Sequence, residues 1–242
     1  MNPMRSLPSL LAGLAVLAVA ASGLADEPSP PASGAAPAAS AAPAAAMPPS
    51  VDDAVARVQR FYDTTSTFQS DFKQEFVVKA YNTKKTSSGT VTFAKPGKMD
   101  WVYTFPKDNR VVSDGAALKV YDAGNKQLFE QRVDKSQYPA ALAFLTGEGK
   151  LADYFTFELH PGTSMNFPGG YVLLGTPKQA HPAYTKVLFY VDAGTSQVLR
   201  VMIIDGQGNR NRFDFTAPKV NLAVQPTRFT FTPPQGTTIV RP

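Results

Sequence analysis

The chain has no cysteine, two histidines and one tryptophan in 242 residues. Without cysteine there are no disulfides, no thiolate metal sites and no cysteine to carry a lipid anchor. His160 and His181 each lie beside a proline, and neither belongs to a metal-binding spacing such as HExxH. A GxSxG nucleophile elbow is missing, and "TGEGK" at 146–150 lacks the spacing and the hydroxyl residue of a phosphate loop. The expectation is therefore a protein that is not an enzyme and has no catalytic residue, metal or cofactor. Charge is also sparse, at 18% of residues with a net +5. The basic residues, among them Lys84-Lys85, Lys95, Lys98, Arg210 and Arg212, are scattered along the chain. They do not form the dense basic stripe of a nucleic-acid binder, so no nucleic-acid partner is expected.

The N-terminal apolar run from Leu7 to Ala20 is shorter than the roughly 20 residues of a membrane-spanning helix. Arg5 precedes it and the small residues of Gly23-Leu24-Ala25 follow it, which is the pattern of a cleaved signal peptide. Residues 1–25 are read as that peptide, which makes the mature chain an exported, soluble protein. Residues 26–50 contain seven Pro and ten Ala. Such a segment has too little bulky apolar surface to offset the entropy of ordering, and it reads as an extended, disordered Ala/Pro-rich linker. Residues 51–242 are the size of one domain.

Helical spacing opens that domain. In "SVDDAVARVQRFYD", Val51, Ala54, Val55, Val58, Phe61 and Tyr62 recur at intervals of three and four, with Ser50 as N-cap and Asp53 in the first turn. After it the period changes to two. Phe68, Phe72 and Phe76 alternate with polar neighbours, as do Val91 with Phe93 and Leu118 with Val120, the signature of antiparallel sheet. In "KPGKMDWVYTFP", Met99, Trp101, Tyr103 and Phe105 fall on one face. Further strands read from "YFTFEL", "YVLLG", "KVLFYVD", "QVLRVMIID", "NRFDFT" and "RFTFT", giving about eleven or twelve in all. Asp114-Gly115, Asp122-Ala-Gly124, Asp192-Ala-Gly194 and Asp205-Gly206 are expected to supply the positive-φ positions of the hairpins. "SQYPAALAFLTGEGKLADYF" interrupts the pattern: a short apolar helix begins at Pro139, carries Leu142, Phe144 and Leu145 and stops at Gly147, and a second turn runs from Gly149 to Tyr154.

A twisted sheet of this many strands tends to curl, and its concave side collects more apolar surface than these few helices can cover. Two solutions follow: a barrel packed with its own side chains, or an open sheet with a hydrophobic pocket under a helical lid. A transmembrane barrel fits less well, because several strands are shorter than the 9–11 residues needed to cross a bilayer.

The run "AKPGKMDWVYTFPKDNRVVSDGAALKVYD", the apolar "YPAALAFLTG" and the C-terminal "FTFTPPQGTTIV" resemble the periplasmic outer-membrane lipoprotein carrier family (LolA). The resemblance covers most of residues 51–242. It implies a mainly β fold, a strongly curved incomplete antiparallel β-barrel with a small α-helical lid over a hydrophobic cavity. It also implies a monomeric periplasmic carrier that shields acyl chains of lipoproteins. Such a carrier accepts its cargo from an inner-membrane ATP-driven lipoprotein release transporter and delivers it to an outer-membrane, LolB-like acceptor. Met99 and Trp101 match the family's cavity-facing strand. Alternation adds Phe72 and Phe93 to that wall, while Leu142, Phe144 and Leu145 take the underside of the lid. Lys95 stands where the family has an arginine that latches lid to barrel. It keeps the charge without the planar fork of donors. A periplasmic lipid-binding or lipoprotein-sensing regulator with the same fold is the alternative that these residues leave open.

Overall fold

The computed structural model describes residues 48, 50–133 and 149–241. The expected signal peptide, nearly all of the linker and the lid residues Leu142, Phe144 and Leu145 lie outside the described residues. Helix α1 (Val51–Asp63) follows its periodicity, and Ala54, Val55, Val58 and Tyr62 form one buried stripe. The Asp53 amide donates to Ser50 Oγ at 3.1 Å, satisfying one of the free donors that every helix start carries.

Six strands follow: β1 (Thr67–Val78), β2 (Thr83–Ala94), β3 (Lys98–Phe105), β4 (Arg110–Asp114), β5 (Ala117–Asp122) and β6 (Gln127–Arg132). The short helix α2 (Leu151–Tyr154) leads into β7 (Phe155–Pro161), β8 (Gly170–Pro177), β9 (Lys186–Asp192), β10 (Val198–Ile204) and β11 (Arg210–Val220), and β12 (Thr238–Val240) ends the chain. The described strands form one curved sheet in the order β12-β6-β5-β4-β3-β2-β1-β11-β10-β9-β8-β7. It does not close into a barrel, because β12 and β7 remain edges. Every pairing is antiparallel except β12 on β6, which is parallel. The expected mainly β, open half-barrel architecture is thus the one found.

The turns work differently from expectation. Gly115 does adopt positive φ, but Gly124, Gly194 and Gly206 do not; the left-handed positions are Lys126, Ser196 and Gly208 instead. The aspartates organise these turns through their side chains. Asp122 Oδ1 accepts from the Asn125 amide, Asp192 Oδ1 from the Thr195 amide and Asp205 Oδ1 from the Gln207 and Asn209 amides. A short carboxylate that bonds the backbone two to four residues on sets the turn, and the left-handed residue follows where the chain rejoins the sheet.

Two strand assignments need correction. "RFTFT" at 228–232 is not a strand: Pro226–Phe229 is a 3-10 turn, and pairing resumes only at β12. Its aromatics cover the outer face of the sheet instead. Phe229 is buried, and the Phe231 ring lies 5.3 Å from that of Tyr121, with the Arg110 guanidinium 5.3 Å above it. Phe105 does not share the face of Trp101 either, because a register irregularity between Ser88 and Gly89 leaves it 59% exposed.

The outer face carries a buried ionic cluster that alternation alone does not announce. Asp100 is 1% exposed. Its Oδ1 accepts from Arg110 Nε at 2.8 Å, and its Oδ2 lies 3.2 Å from Arg228 Nε. Arg110 also donates to the Arg228 carbonyl at 3.0 Å, so the C-terminal segment is pinned to β3 and β4 through one carboxylate. A buried charge is tolerated when it is paired and hydrogen-bonded. Asp100→Ala leaves Arg110 and Arg228 without their shared carboxylate and is expected to cost about 1.5–3 kcal/mol, the worth of a hydrogen bond to a charged group. Urea denaturation measures the loss, and faster limited proteolysis beyond residue 221 locates it.

Candidate functional site

The inner face of the sheet can be read from its register. Phe68, Ser70, Phe72 and Gln74 of β1 alternate inward, and β2 places Phe93, Val91 and Gly89 opposite Phe68, Ser70 and Phe72. β3 then sets Met99 beside Phe93, Trp101 beside Val91 and Tyr103 beside Gly89. The four expected wall residues therefore meet on three adjacent strands. All are buried, with Trp101 at 0%, Phe72 and Phe93 at 1% and Met99 at 3% exposure.

Trp101 is the centre of this wall. Its ring centroid lies 4.9 Å from Phe72 and 5.7 Å from Phe93, both edge-on, and 5.3 and 6.3 Å from Phe213 and Phe215. Edge-to-face pairs at such distances add attraction beyond simple burial, because the positive rim of one ring meets the negative face of the next. Phe213 and Phe215 come from β11, where Phe215 pairs with Phe72 and Phe213 with Gln74. Alternation in "NRFDFT" places both on one face. Only the long-range pairing of β1 with β11 puts that face beside Trp101, so they were not among the wall residues named from sequence.

Gly89 makes room for this packing. A Cβ there would sit 2.0 Å from the Val102 carbonyl oxygen and 2.9 Å from the Tyr103 Cα, and its missing side chain leaves Phe72 and Tyr103 in contact at 5.2 Å. Toward the same end the wall turns polar: Gln74 Nε2 donates to Asn211 Oδ1 at 2.9 Å, and the Tyr103 hydroxyl lies 3.5 Å from Gln74 Oε1. Burial pushes the Tyr103 phenol well above its usual range, so it stays a neutral donor.

Helix α1 belongs to the same apolar cluster, with Val58 and Tyr62 packed among the inner-face residues. Side-chain bonds hold it there. The Val198 amide donates to the Tyr62 hydroxyl at 3.2 Å, and burial raises the phenol's pKa while that bond opposes the rise. The Leu151 amide at the start of α2 donates to Gln59 Oε1 at 2.9 Å. Lys95 Nζ donates to the Tyr62 carbonyl, which also accepts from the Thr65 amide at 3.0 Å, at the helix end where the dipole favours a cation. Burial lowers the Lys95 pKa, with Asp63 acting in the opposite direction. The residue named as a lid latch thus ties α1 to the end of β2; its relation to Leu142, Phe144 and Leu145 lies outside the described residues.

The two histidines are occupied elsewhere. His181 stacks on Tyr184 at 4.1 Å and its Nδ1 accepts from the Ala183 amide, while His160 Nε2 lies 3.6 Å from Glu158. Among the described residues no group of three His, Cys, Asp or Glu side chains is placed to hold a metal, and no helix is long and apolar enough to cross a membrane.

An open, curved, almost wholly antiparallel sheet with one aromatic face, and a helix joined to the same apolar cluster, defines the class of protein at hand. Residues 63–232 match the family model described as outer membrane lipoprotein carrier protein LolA, and the chain belongs to that family. It is 30% identical over 215 residues to the outer-membrane lipoprotein carrier protein of Bordetella pertussis, covering 87% of this chain and 97% of that one. The carrier protein of Methylococcus capsulatus is 28% identical over 181 residues, covering 75% and 84%. Among solved structures, a LolA superfamily protein from Nitrosomonas europaea aligns over 74% of this chain and 97% of its own with 11% identity and a TM-score of 0.41.

Trp101→Ala is expected to destabilise the fold by about 3–5 kcal/mol, the range for removing a fully buried large aromatic, whereas Trp101→Phe loses less; denaturant titration separates them. Gly89→Ala is expected to lower the melting temperature as well, because the clash is with backbone. A melt unchanged from wild type contradicts that close approach.

Proposed function

We propose that the protein is a periplasmic lipoprotein carrier whose aromatic inner face shields acyl chains. The observation that carries this reading is the wall around Trp101, found in a chain of the lipoprotein-carrier family. Phe72, Phe93, Met99 and Trp101 contact the acyl chains. Val58 and Tyr62 of α1 belong to the same apolar cluster as that wall, and a bare apolar face of this extent invites aggregation, so α1 is the part of the cover that cargo displaces. The segment bearing Leu142, Phe144 and Leu145 serves as the rest of the lid, and Lys95 opens and closes the α1 end of it. Residues 1–25 direct export as a cleaved signal peptide, 26–50 form the linker and 51–242 the carrier domain.

Energetics indicate how the cargo must move. Burial is worth about 0.8 kcal/mol per methylene, so a lipid anchor of about 30 methylenes would need roughly 24 kcal/mol to enter water. That exceeds the ceiling of noncovalent affinity, about 18–21 kcal/mol. Cargo therefore passes from cavity to cavity: from an ATP-driven release transporter in the inner membrane to this wall, and from it to an acceptor at the outer membrane.

The single tryptophan provides the test. A triacylated lipopeptide brominated along its acyl chains should quench Trp101 fluorescence on binding, and an unbrominated one should not. Phe72→Glu should reduce the retained lipopeptide at least tenfold, since an ionised side chain in an apolar wall opposes burial. Tight binding without quenching places the chains elsewhere and overturns the wall assignment. Absence of binding overturns the carrier reading.

A further inference from the structure

Between Glu75 and Asp100 the chain carries five lysines and no carboxylate, and the fold gathers the first three of them at one end of the molecule. β1 and β2 pair without interruption from Thr67 and Ala94 out to Val78 and Thr83, and a 3-10 turn over Lys79–Tyr81 closes the hairpin. β3 accompanies β2 only as far as Ser88, so residues 83–87 extend past the end of that strand. At the tip, Tyr81 is 82% exposed, more than any other large apolar side chain among the described residues. Lys79 and Lys84 are exposed beside it and Lys85 is half-buried. Across β1, Arg210 pairs in register with Val77 and Arg212 with Glu75. The basic residues that look scattered in sequence therefore converge through strand pairing.

Nearby carboxylates are already engaged. Glu75 forms ion pairs with Lys84 and, at 3.6 Å, with Arg212. Asp214 pairs with Arg200 and with Arg212 at 2.9 Å. Asp205 accepts from the backbone of its own turn. The hairpin end is left with a positive excess around one solvent-facing aromatic ring.

We propose that this tip docks on a bilayer containing anionic phospholipid, with Tyr81 seated at headgroup level and Lys79, Lys84 and Lys85 over the phosphates. Tyrosine suits that depth because its ring is apolar and its hydroxyl stays wet, and clustered lysines are drawn to an anionic surface. A narrow tip favours a bilayer over a protein: a stable protein interface buries about 1,200 Å² or more, whereas a membrane accepts a point contact and adds the charge attraction to it. The proposal does not depend on what the inner face carries.

Vesicle sedimentation of the purified protein tests it, with phosphatidylcholine vesicles compared against phosphatidylcholine mixed with phosphatidylglycerol. All proteins compared share one N-terminus, so differences between them report the hairpin. Wild type should pellet with the anionic vesicles, and pelleting should fall as salt is raised. Lys79→Gln with Lys85→Gln should lower the partition coefficient about thirtyfold, the factor for two lysines at about 1 kcal/mol each, while Lys84, paired with Glu75, should contribute less. Tyr81→Ser should lower it several-fold and leave thermal unfolding unchanged. Equal binding to neutral vesicles, or binding unaffected by these substitutions, overturns the proposal. Protein that ignores anionic vesicles but binds polyglutamate in a lysine-dependent way assigns the surface to an acidic polypeptide, and this also overturns it.

Discussion

One requirement governs the molecule: the inner face of its sheet is apolar across most strands and must be kept from water. The ring of Trp101 is where that requirement is concentrated, since strands from both halves of the chain deliver aromatics to it. Phe72 and Phe93 arrive from its near neighbours in sequence, Phe213 and Phe215 from more than a hundred residues later. The pairing of β1 with β11 closes this cluster and joins the two halves into one sheet. Such long-range pairing is costly in loop-closure entropy, and burial of the ring cluster is the compensating gain.

The two faces of the sheet are covered by different means. Outside, the C-terminal segment is fixed by a buried carboxylate between two arginines and by Phe229 and Phe231, contacts that resist separation because breaking one leaves charge unpaired. Inside, among the described residues, α1 rests on apolar contacts and on hydrogen bonds at Tyr62, Gln59 and Lys95. The apolar contacts are exchangeable: an acyl chain offers the same kind of surface that the helix offers. A permanent outer cover and a replaceable inner one fit the task proposed for the protein.

Much of this was legible beforehand. The N-capped helix at 51–63, the strands β1 to β3, β5 and β7 to β11, and the open half-barrel follow from periodicity and family resemblance, while β4 and β6 were not named; the wall residues Phe72, Phe93, Met99 and Trp101 do converge. The misses have identifiable causes. "RFTFT" alternates like a strand, yet the same alternation serves a segment that lays its aromatics on an outer face. Phe105 continues the pattern of Trp101 and Tyr103, but a register slip beside Gly89 turns it to solvent. Glycine after aspartate was read as the turn-maker, whereas the carboxylate itself makes the turn and the left-handed residue falls further on.

The sequence by itself determined which side chains share a face within an unbroken strand, where the helix begins and that apolar surface would exceed the local cover, because these depend on spacing along a few residues. Only the tertiary structure decided which faces meet: Phe215 against Phe72, Asp100 under Arg228, Lys95 on the Tyr62 carbonyl near the end of α1, and the lysines of the β1–β2 hairpin beside Arg210 and Arg212. Those choices depend on register between strands far apart in the chain, and register is set by the sum of packing over the whole sheet rather than by any stretch of it.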